Sequence, residues 1–367
     1  MGQLHLLFIC LQALPLTIAK NDRFQRWFPN YREDFEDIVS NNCSDAYQAY
    51  LAGTGRHNKL CSFAVDCILG ATRESQKADM ASAAVVLGLT PTILTMLGCR
   101  TTEIALLSTR RPFLSLLLAL GSPSAVPVRT YEYDDVFEIL KTNENPRQDT
   151  KSFLRKVLEV VAGYLLAIGA ILNVAVVSYE LGQKALFNFA CNQATLASVW
   201  AFLAVFVQIF GCVAFQLRFE RNDYSRNGGQ QSSSRFAQRL RNEFSPCSTH
   251  APGYIGQKST TFLFLFLFHA LSWFTAAGAV AHILFGTLVF SSLTFISVND
   301  ALPVAARYVV SAIVCRAILM FELAGMRQTT DVKAQDDSMA LQSMDKRPLI
   351  REAELPEYPH IPIPNQI

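Results

Sequence analysis

The stretch STTFLFLFLFHALSWFTAAGAVAHILFGTLVFSSLTFISVNDALPVAA, Ser259 to Ala306, contains no lysine or arginine. Before it stand Arg218, Arg221, Arg226, Arg235, Arg239, Arg241 and Lys258, and after it comes an apolar helix candidate bearing Arg307 and Arg316. Basic residues collect in short cytoplasmic loops and thin out in the segments that cross a bilayer, so this alternation reads as a membrane topology. The composition agrees. A chain of 367 residues that is 51% hydrophobic and 17% charged, with a mean hydropathy of +0.22, is more apolar than an average soluble protein. The net charge is +2 and the basic residues lie beside apolar runs, which gives no reason to propose a nucleic-acid partner.

Four segments have roughly the 20 apolar residues that a span needs: Val157–Tyr179, Ala194–Leu217, Thr260–Ile283 and Pro303–Gly325. A fifth, Met80–Cys99, is broken by Thr90-Pro91-Thr92 and is expected to be a kinked span, because neighbours can satisfy the carbonyl that proline frees. Pro112–Val128 is different: its apolar half is too short to cross, and Gly121, Ser122, Pro123 and Pro127 interrupt the rest. Parity decides its role. The arginine-rich 218–258 segment and the tail with Arg327, Lys333, Lys346, Arg347 and Arg351 belong in the cytoplasm. Counting back places the 180–193 loop outside and the 129–156 loop inside, so Pro112–Val128 must be re-entrant or lie in the interface. Leu284–Val298 stays open: it extends the preceding helix, lies in the interface or folds back. The expected fold class is an all-α, polytopic helical membrane protein with about five spans plus one re-entrant or interfacial segment.

Around this membrane region, 80–325, the chain divides into three further parts. Residues 1–19 read as a signal peptide, with an apolar core at Leu6–Leu16 and small residues around Ala19. The missing basic residue at its start leaves a retained anchor as the alternative. Residues 20–79 form a small extracytoplasmic region with Cys43, Cys61 and Cys67; with Cys191 these are four cysteines on the proposed outer side, enough for two disulfides in three connectivities. Cys99, Cys212, Cys247 and Cys315 read as packing residues. Asn42-Cys43-Ser44 is a glycosylation sequon, weakened by the cysteine in its middle. Residues 326–367, with Pro356, Pro359, Pro362 and Pro364, cannot build a core and read as a disordered cytoplasmic tail. Between the third and fourth long spans, Phe236, Leu240 and Phe244 recur every four residues beside Arg235, Arg239 and Arg241, as in a helix lying on anionic inner-leaflet lipids.

Charge inside hydrocarbon is costly, so polar residues in the spans mark candidate sites. Arg307 and Glu322 lie near the ends of their helix and can snorkel; Arg316 cannot. Counting about 1.5 Å per residue from the cytoplasmic ends puts Arg316, His269 and Gln208 at one depth, roughly 13 to 14 Å in, with Glu159 within reach from below. These three form the candidate binding layer. It either fixes the bundle by interhelical hydrogen bonds or lines a substrate or proton path, and the first reading is favoured because no intramembrane acid stands beside the arginine. Asp134-Asp135-x-x-Glu138 has the spacing of a Mg²⁺-diphosphate motif, but Asn222-Asp223-Tyr224-Ser225 makes a poor second acidic motif, and a solvated loop helix accounts for it better. Gly53-Thr54-Gly55-Arg56-His57 lacks the lysine of a P-loop, and neither His-Glu-x-x-His nor Gly-x-Ser-x-Gly occurs. No catalytic residue, cofactor or metal is therefore assigned.

Ala78-Asp79-Met80 through Leu94, Gly286 through Ser292, and Val314-Cys315-Arg316 through Arg327 together resemble a family of filamentous-fungal multi-pass membrane proteins without assigned activity. The resemblance implies a source and a topology and no site. The sequence thus points first to a non-enzymatic binding, sensing or scaffold component. A small-molecule transporter is second, and a membrane enzyme or accessory protein of a fungal secondary-metabolite pathway third.

Overall fold

The computed structural model describes residues 23–52, 57–127, 153–191, 193–223, 242–249, 253–258 and 261–329. In chain order these give three short helices, α1 (Arg32–Asp37), α2 (Ser44–Ala52) and α3 (His57–Ala71), then the long α4 (Glu74–Leu97). Two short helices follow, α5 (Thr101–Ser108) and α6 (Pro112–Gly121), and then four long ones: α7 (Phe153–Lys184), α8 (Leu196–Arg218), α9 (Phe262–Ser291) and α10 (Val298–Thr329). Among the described residues α4, α7, α8, α9 and α10 are the helices long and apolar enough to cross a membrane. The chain is a polytopic, all-α membrane protein of five such spans. The signal segment, the Asp134-Asp135 motif, the basic run at Arg235, Arg239 and Arg241 and the tail from 330 onward lie outside the described residues.

The faces of these helices explain why they need a bilayer. Leu154, Leu158, Leu165 and Leu172 of α7, and Phe262, Leu263, Phe266, Phe274 and Leu284 of α9, are exposed, an apolar surface that water would not tolerate. The most apolar windows of α8 and α10 are 44% buried against 22% for α9, so α8 and α10 are central and α9 lies at the rim. The first span begins at Glu74, ahead of the expected Met80, and continues through Pro91. Leu284–Val298 resolves into an extension of α9 to Ser291 followed by a short strand. Gly286 permits that extension, because a Cβ there would meet Trp200 Nε1 at 2.2 Å and Pro91 Cγ at 2.8 Å. Ser297 then starts α10: it accepts from the Asp300 amide (3.2 Å) and donates to the Asp300 carboxylate (2.9 Å), a reciprocal N-terminal cap.

Two antiparallel ladders interrupt the helical pattern. β1 (Leu186–Phe187) pairs with β4 (Leu293–Thr294) between the α7–α8 and α9–α10 connections, and β2 (Phe219–Asp223) pairs with β3 (Gly253–Gln257) at the opposite end. The first ladder is the floor of a cap built from α1, α2 and α3. Phe295, just beyond β4, has φ +66°, a left-handed conformation that is strained for a residue with a Cβ. That conformation turns its ring into the cap, 5.4 Å from Trp27 and 5.2 Å from Phe35, where it is buried.

The cap is tied down by covalent and polar links as well. The four candidate cysteines form two disulfides, Cys43–Cys67 within the cap and Cys61–Cys191 from α3 to the α7–α8 connection. Arg23 donates to the Gly182 carbonyl, the Asn30 amide to Asp300 (3.3 Å), and the Tyr31 hydroxyl to Asp79 (2.5 Å). Partial burial and the Asp79 carboxylate push the Tyr31 hydroxyl above the usual phenol range, so it remains a donor at any physiological pH. Asn42 is exposed at the edge of this unit.

Replacing Cys61 and Cys191 together by alanine is expected to leave Cys43–Cys67 intact and to destabilise the docked cap by about 2 to 4 kcal/mol. Hydrogen exchange would show this as faster exchange over α1–α3 with α8 and α9 unchanged. Unchanged exchange in the cap would contradict the stapling role.

Candidate functional site

α10 carries three charged residues inside the bundle, and each has a different partner. Arg307 Nε donates to Asn173 Oδ1 (3.0 Å) and its Nη1 to Glu180 (2.7 Å), both on α7. Arg316 grips Glu103 of α5 with two nitrogens, Nη1 to Oε2 and Nη2 to Oε1 (3.2 Å), and Nη1 also reaches the Gly98 carbonyl (3.4 Å). Glu322 accepts from Arg111 Nη1 and from the Cys247 amide (3.1 Å). Nine and six residues separate the three along α10, so they point in different directions around it, as a helix enclosed on several sides requires.

The partners of Arg316 and Glu322 come from the chain just ahead of Pro112–Val128, the segment that hydropathy could not place. α5 continues beyond α4 toward the opposite end of the bundle, the chain turns at Arg110 and Arg111, and α6 comes back. Glu322 lies six residues, about 9 Å, beyond Arg316 along α10. Arg111 meets Glu322, whereas Gly121 at the end of α6 has returned to Cys315, whose Sγ would lie 2.8 Å from a Cβ built there. Beyond it, Ala125 packs with Val207 and Ala279. Pro112–Val128 therefore makes no membrane-length helix, and the 98–125 segment dips and returns within the bundle. Its two limbs touch at Gly98, where a Cβ would sit 2.2 Å from Ser124 Oγ; only glycine fits.

The turn of this hairpin is held by buried polar groups. Arg111, 1% exposed, donates from Nε to the Glu243 carbonyl (2.9 Å) and lies 5.3 Å from the Tyr164 ring. The Glu243 carboxylate accepts from the amides of Phe113 (3.2 Å) and Leu114 (2.8 Å) and from the Tyr164 hydroxyl (2.8 Å). A carboxylate in that place satisfies the free amides at the start of α6 and complements its dipole.

The expected binding layer is only partly assembled. Arg316 and Gln208 are linked through the hairpin, since Gln208 Nε2 donates to the Ser124 carbonyl (2.9 Å) and Ser124 abuts Gly98. His269 is not part of it: its ring is exposed on α9 and Nδ1 contacts the Leu265 carbonyl of its own helix (2.8 Å). Equal depth says nothing about direction, and Phe268, one residue away, takes the buried position. Glu159 pairs with Arg155 (3.4 Å) on its own helix, not with Arg316. Glu322 is 5% exposed and paired, so it does not snorkel, and Arg307 reaches Glu180 across to α7. Glu103, Arg111 and Glu243 were not foreseen as site residues; Glu103 and Arg111 stand beside apolar runs, but the partners of all three are far away in sequence.

Among the described residues no group of three or more His, Cys, Asp or Glu is placed to hold a metal ion. Cys99, Cys212, Cys247 and Cys315 take no part in the two disulfides. A surface groove of about 430 Å³ lies where the cap meets the bundle, lined by Leu69, Lys77, Met80, Ala84, Val85 and Leu293 among others. No protein-family model, curated protein or solved structure matches this chain.

Removing one partner of a buried ion pair strands the other, at about 3 to 5 kcal/mol. Arg316→Met or Glu103→Leu alone is therefore expected to lower thermal stability in detergent by an amount of that order. Arg316→Met combined with Glu103→Leu is expected to recover most of the loss. Additive losses in the double variant would show that the two side chains act independently.

Proposed function

We propose that this protein is a non-enzymatic binding or scaffold component of a membrane in the secretory pathway, with its cap facing outward and the β2–β3 end in the cytoplasm. The observation that carries the reading is the groove at the junction of cap and bundle. Its walls come from α3, α4, α9 and β4, elements fixed to one another by the Cys61–Cys191 bridge and the Phe295 cluster. A preformed depression on a rigid frame is the cheapest kind of surface to bind a partner, because little ordering remains to be done on association.

The other features fit this orientation. Two disulfides favour an oxidising compartment, and exposed Asn42 in its sequon is available for glycosylation there. The arginines at 235, 239 and 241 would then face anionic inner-leaflet lipids. The resemblance to fungal multi-pass proteins is compatible with this assignment and adds no activity. A transporter is the second reading, favoured by the Glu103–Arg316 pair within the bundle; loss of flux in Arg316→Ala with folding intact would carry it. A pathway enzyme would need the Asp134-Asp135 motif.

The binding reading is tested with a photoreactive residue in place of Ala84, in the groove wall, and of Leu165, on the exposed face of α7, in native membranes. A discrete adduct from position 84, absent from position 165 and weakened by Lys77→Glu, is expected. The same diffuse lipid labelling from both positions would contradict it.

A further inference from the structure

The groove at the junction of cap and bundle has a graded wall. Lys77, Met80, Ala81, Ala84 and Val85 line it from α4, and their spacing puts them on one face of that helix, charged toward the cap and apolar away from it. A Cβ on Gly88 would meet Ser291 Cβ at 3.1 Å, which fixes the level, because Ser291 also lines the groove and is where α9 ends. At 30 residues α9 is about 45 Å long against about 30 Å of hydrocarbon, long enough to carry that end to the lipid headgroups. Toward the bilayer centre both walls continue as exposed apolar strips. Val85, Leu89 and Ile93 follow at four-residue steps on α4, and Leu288 and Leu284 lie on the Ser291 side of α9. From Val85 to Ile93 the strip runs inward for about 12 Å, against the acyl chains of the leaflet on the cap side.

The polar groups at the cap end select what can lie there. Lys77 Nζ holds the Glu74 carboxylate at 2.8 Å, which occupies one of the three donors of an ammonium. Across the groove Asn188 accepts from Thr294 Oγ1 on its Oδ1 (3.3 Å), so what its side chain offers a ligand is the amide nitrogen, a donor. Lys77 and Asn188 together suit an anionic oxygen. Glu74, 88% exposed, stands one turn nearer the cap and suits a cation. The Lys77–Glu74 pair is neutral as a whole, so a ligand with a single charge gains little net attraction from it. A ligand carrying an anion, a cation one turn further out and a long apolar chain on the other side matches the groove and its strips throughout.

We propose that the groove binds a zwitterionic phospholipid from the leaflet on the cap side, an assignment that rests on the reading of the groove as a binding surface. Its phosphate sits between Lys77 and Asn188, its ammonium against Glu74, and an acyl chain lies along Val85, Leu89 and Ile93. The charge-assisted contacts supply selectivity among headgroups, and the apolar strips keep the chain in the bilayer that it already occupies, so little is lost on binding. A soluble peptide would find the cap end of this groove but not the strips, which face lipid.

The test uses the full-length protein with a photoreactive residue in place of Ala84 or Leu165, in nanodiscs of phosphatidylcholine and phosphatidylglycerol in equal parts, with the adducts weighed by mass spectrometry. Position 84 is expected to favour phosphatidylcholine by about tenfold, the discrimination that one charge-assisted contact supplies, while position 165 returns the bulk mixture. Glu74→Gln is expected to abolish the preference, and Lys77→Glu to lower the adduct yield at 84 and leave that at 165 unchanged. The bulk mixture from position 84, or a preference indifferent to both substitutions, would overturn the proposal. In native membranes a discrete protein adduct at position 84 would also overturn it while leaving the groove a binding surface, whereas the same lipids in the same proportions at both positions would remove both readings.

Discussion

The two-nitrogen grip of Arg316 on Glu103 is the contact on which the interior of this protein turns. A guanidinium carried into a helical bundle needs a carboxylate with its own geometry to make burial tolerable, and no neighbouring helix with a free path to lipid supplies one. The acid arrives on α5, a helix of only two turns. Because α5 must sit beside Arg316, α4 has to end at Gly98, inside the bundle, and the chain must then turn and return. The re-entrant hairpin is thus the geometric consequence of neutralising one charge. Its own turn brings in Arg111, a second buried charge, which Glu322 of the same α10 neutralises.

α10 therefore organises the whole assembly. Arg307 ties it to α7, Arg316 to α5 and Glu322 to the hairpin turn, while Asp300 at its start, itself held by Ser297, connects it to the cap. The cap in turn is fixed to the α7–α8 connection through Cys61–Cys191.

Much of this was legible in the chain and some was not, for physical reasons. The gap in basic residues from Ser259 to Ala306 identifies the membrane, since hydropathy and charge bias are local quantities. The proline and glycine after Leu120, used with parity, mark the segment that does not cross. The four outer cysteines could be recognised as a set, but their pairing depends on α3 folding back over the α7–α8 connection, which spacing does not encode. Glu103 lies 213 residues from Arg316, in a short stretch between Arg100 and Arg110, so nothing local declared it intramembrane. His269 stays apart for the opposite reason: counting depth ignores direction, and one residue turns a helix by about 100°. The β2–β3 and β1–β4 ladders are too short for any periodicity to emerge.

The central claim is that the 98–125 segment dips beside α10 and returns, held by Arg316 and Glu103. Gly121→Cys, with Cys99, Cys212 and Cys247 replaced by alanine and Cys315 kept, tests it directly in oxidised native membranes. A Cβ at 121 lies 2.8 Å from Cys315 Sγ, so a new disulfide linking the two peptides is predicted by mass spectrometry. Its absence from folded protein in which Cys43–Cys67 and Cys61–Cys191 remain intact would contradict the account.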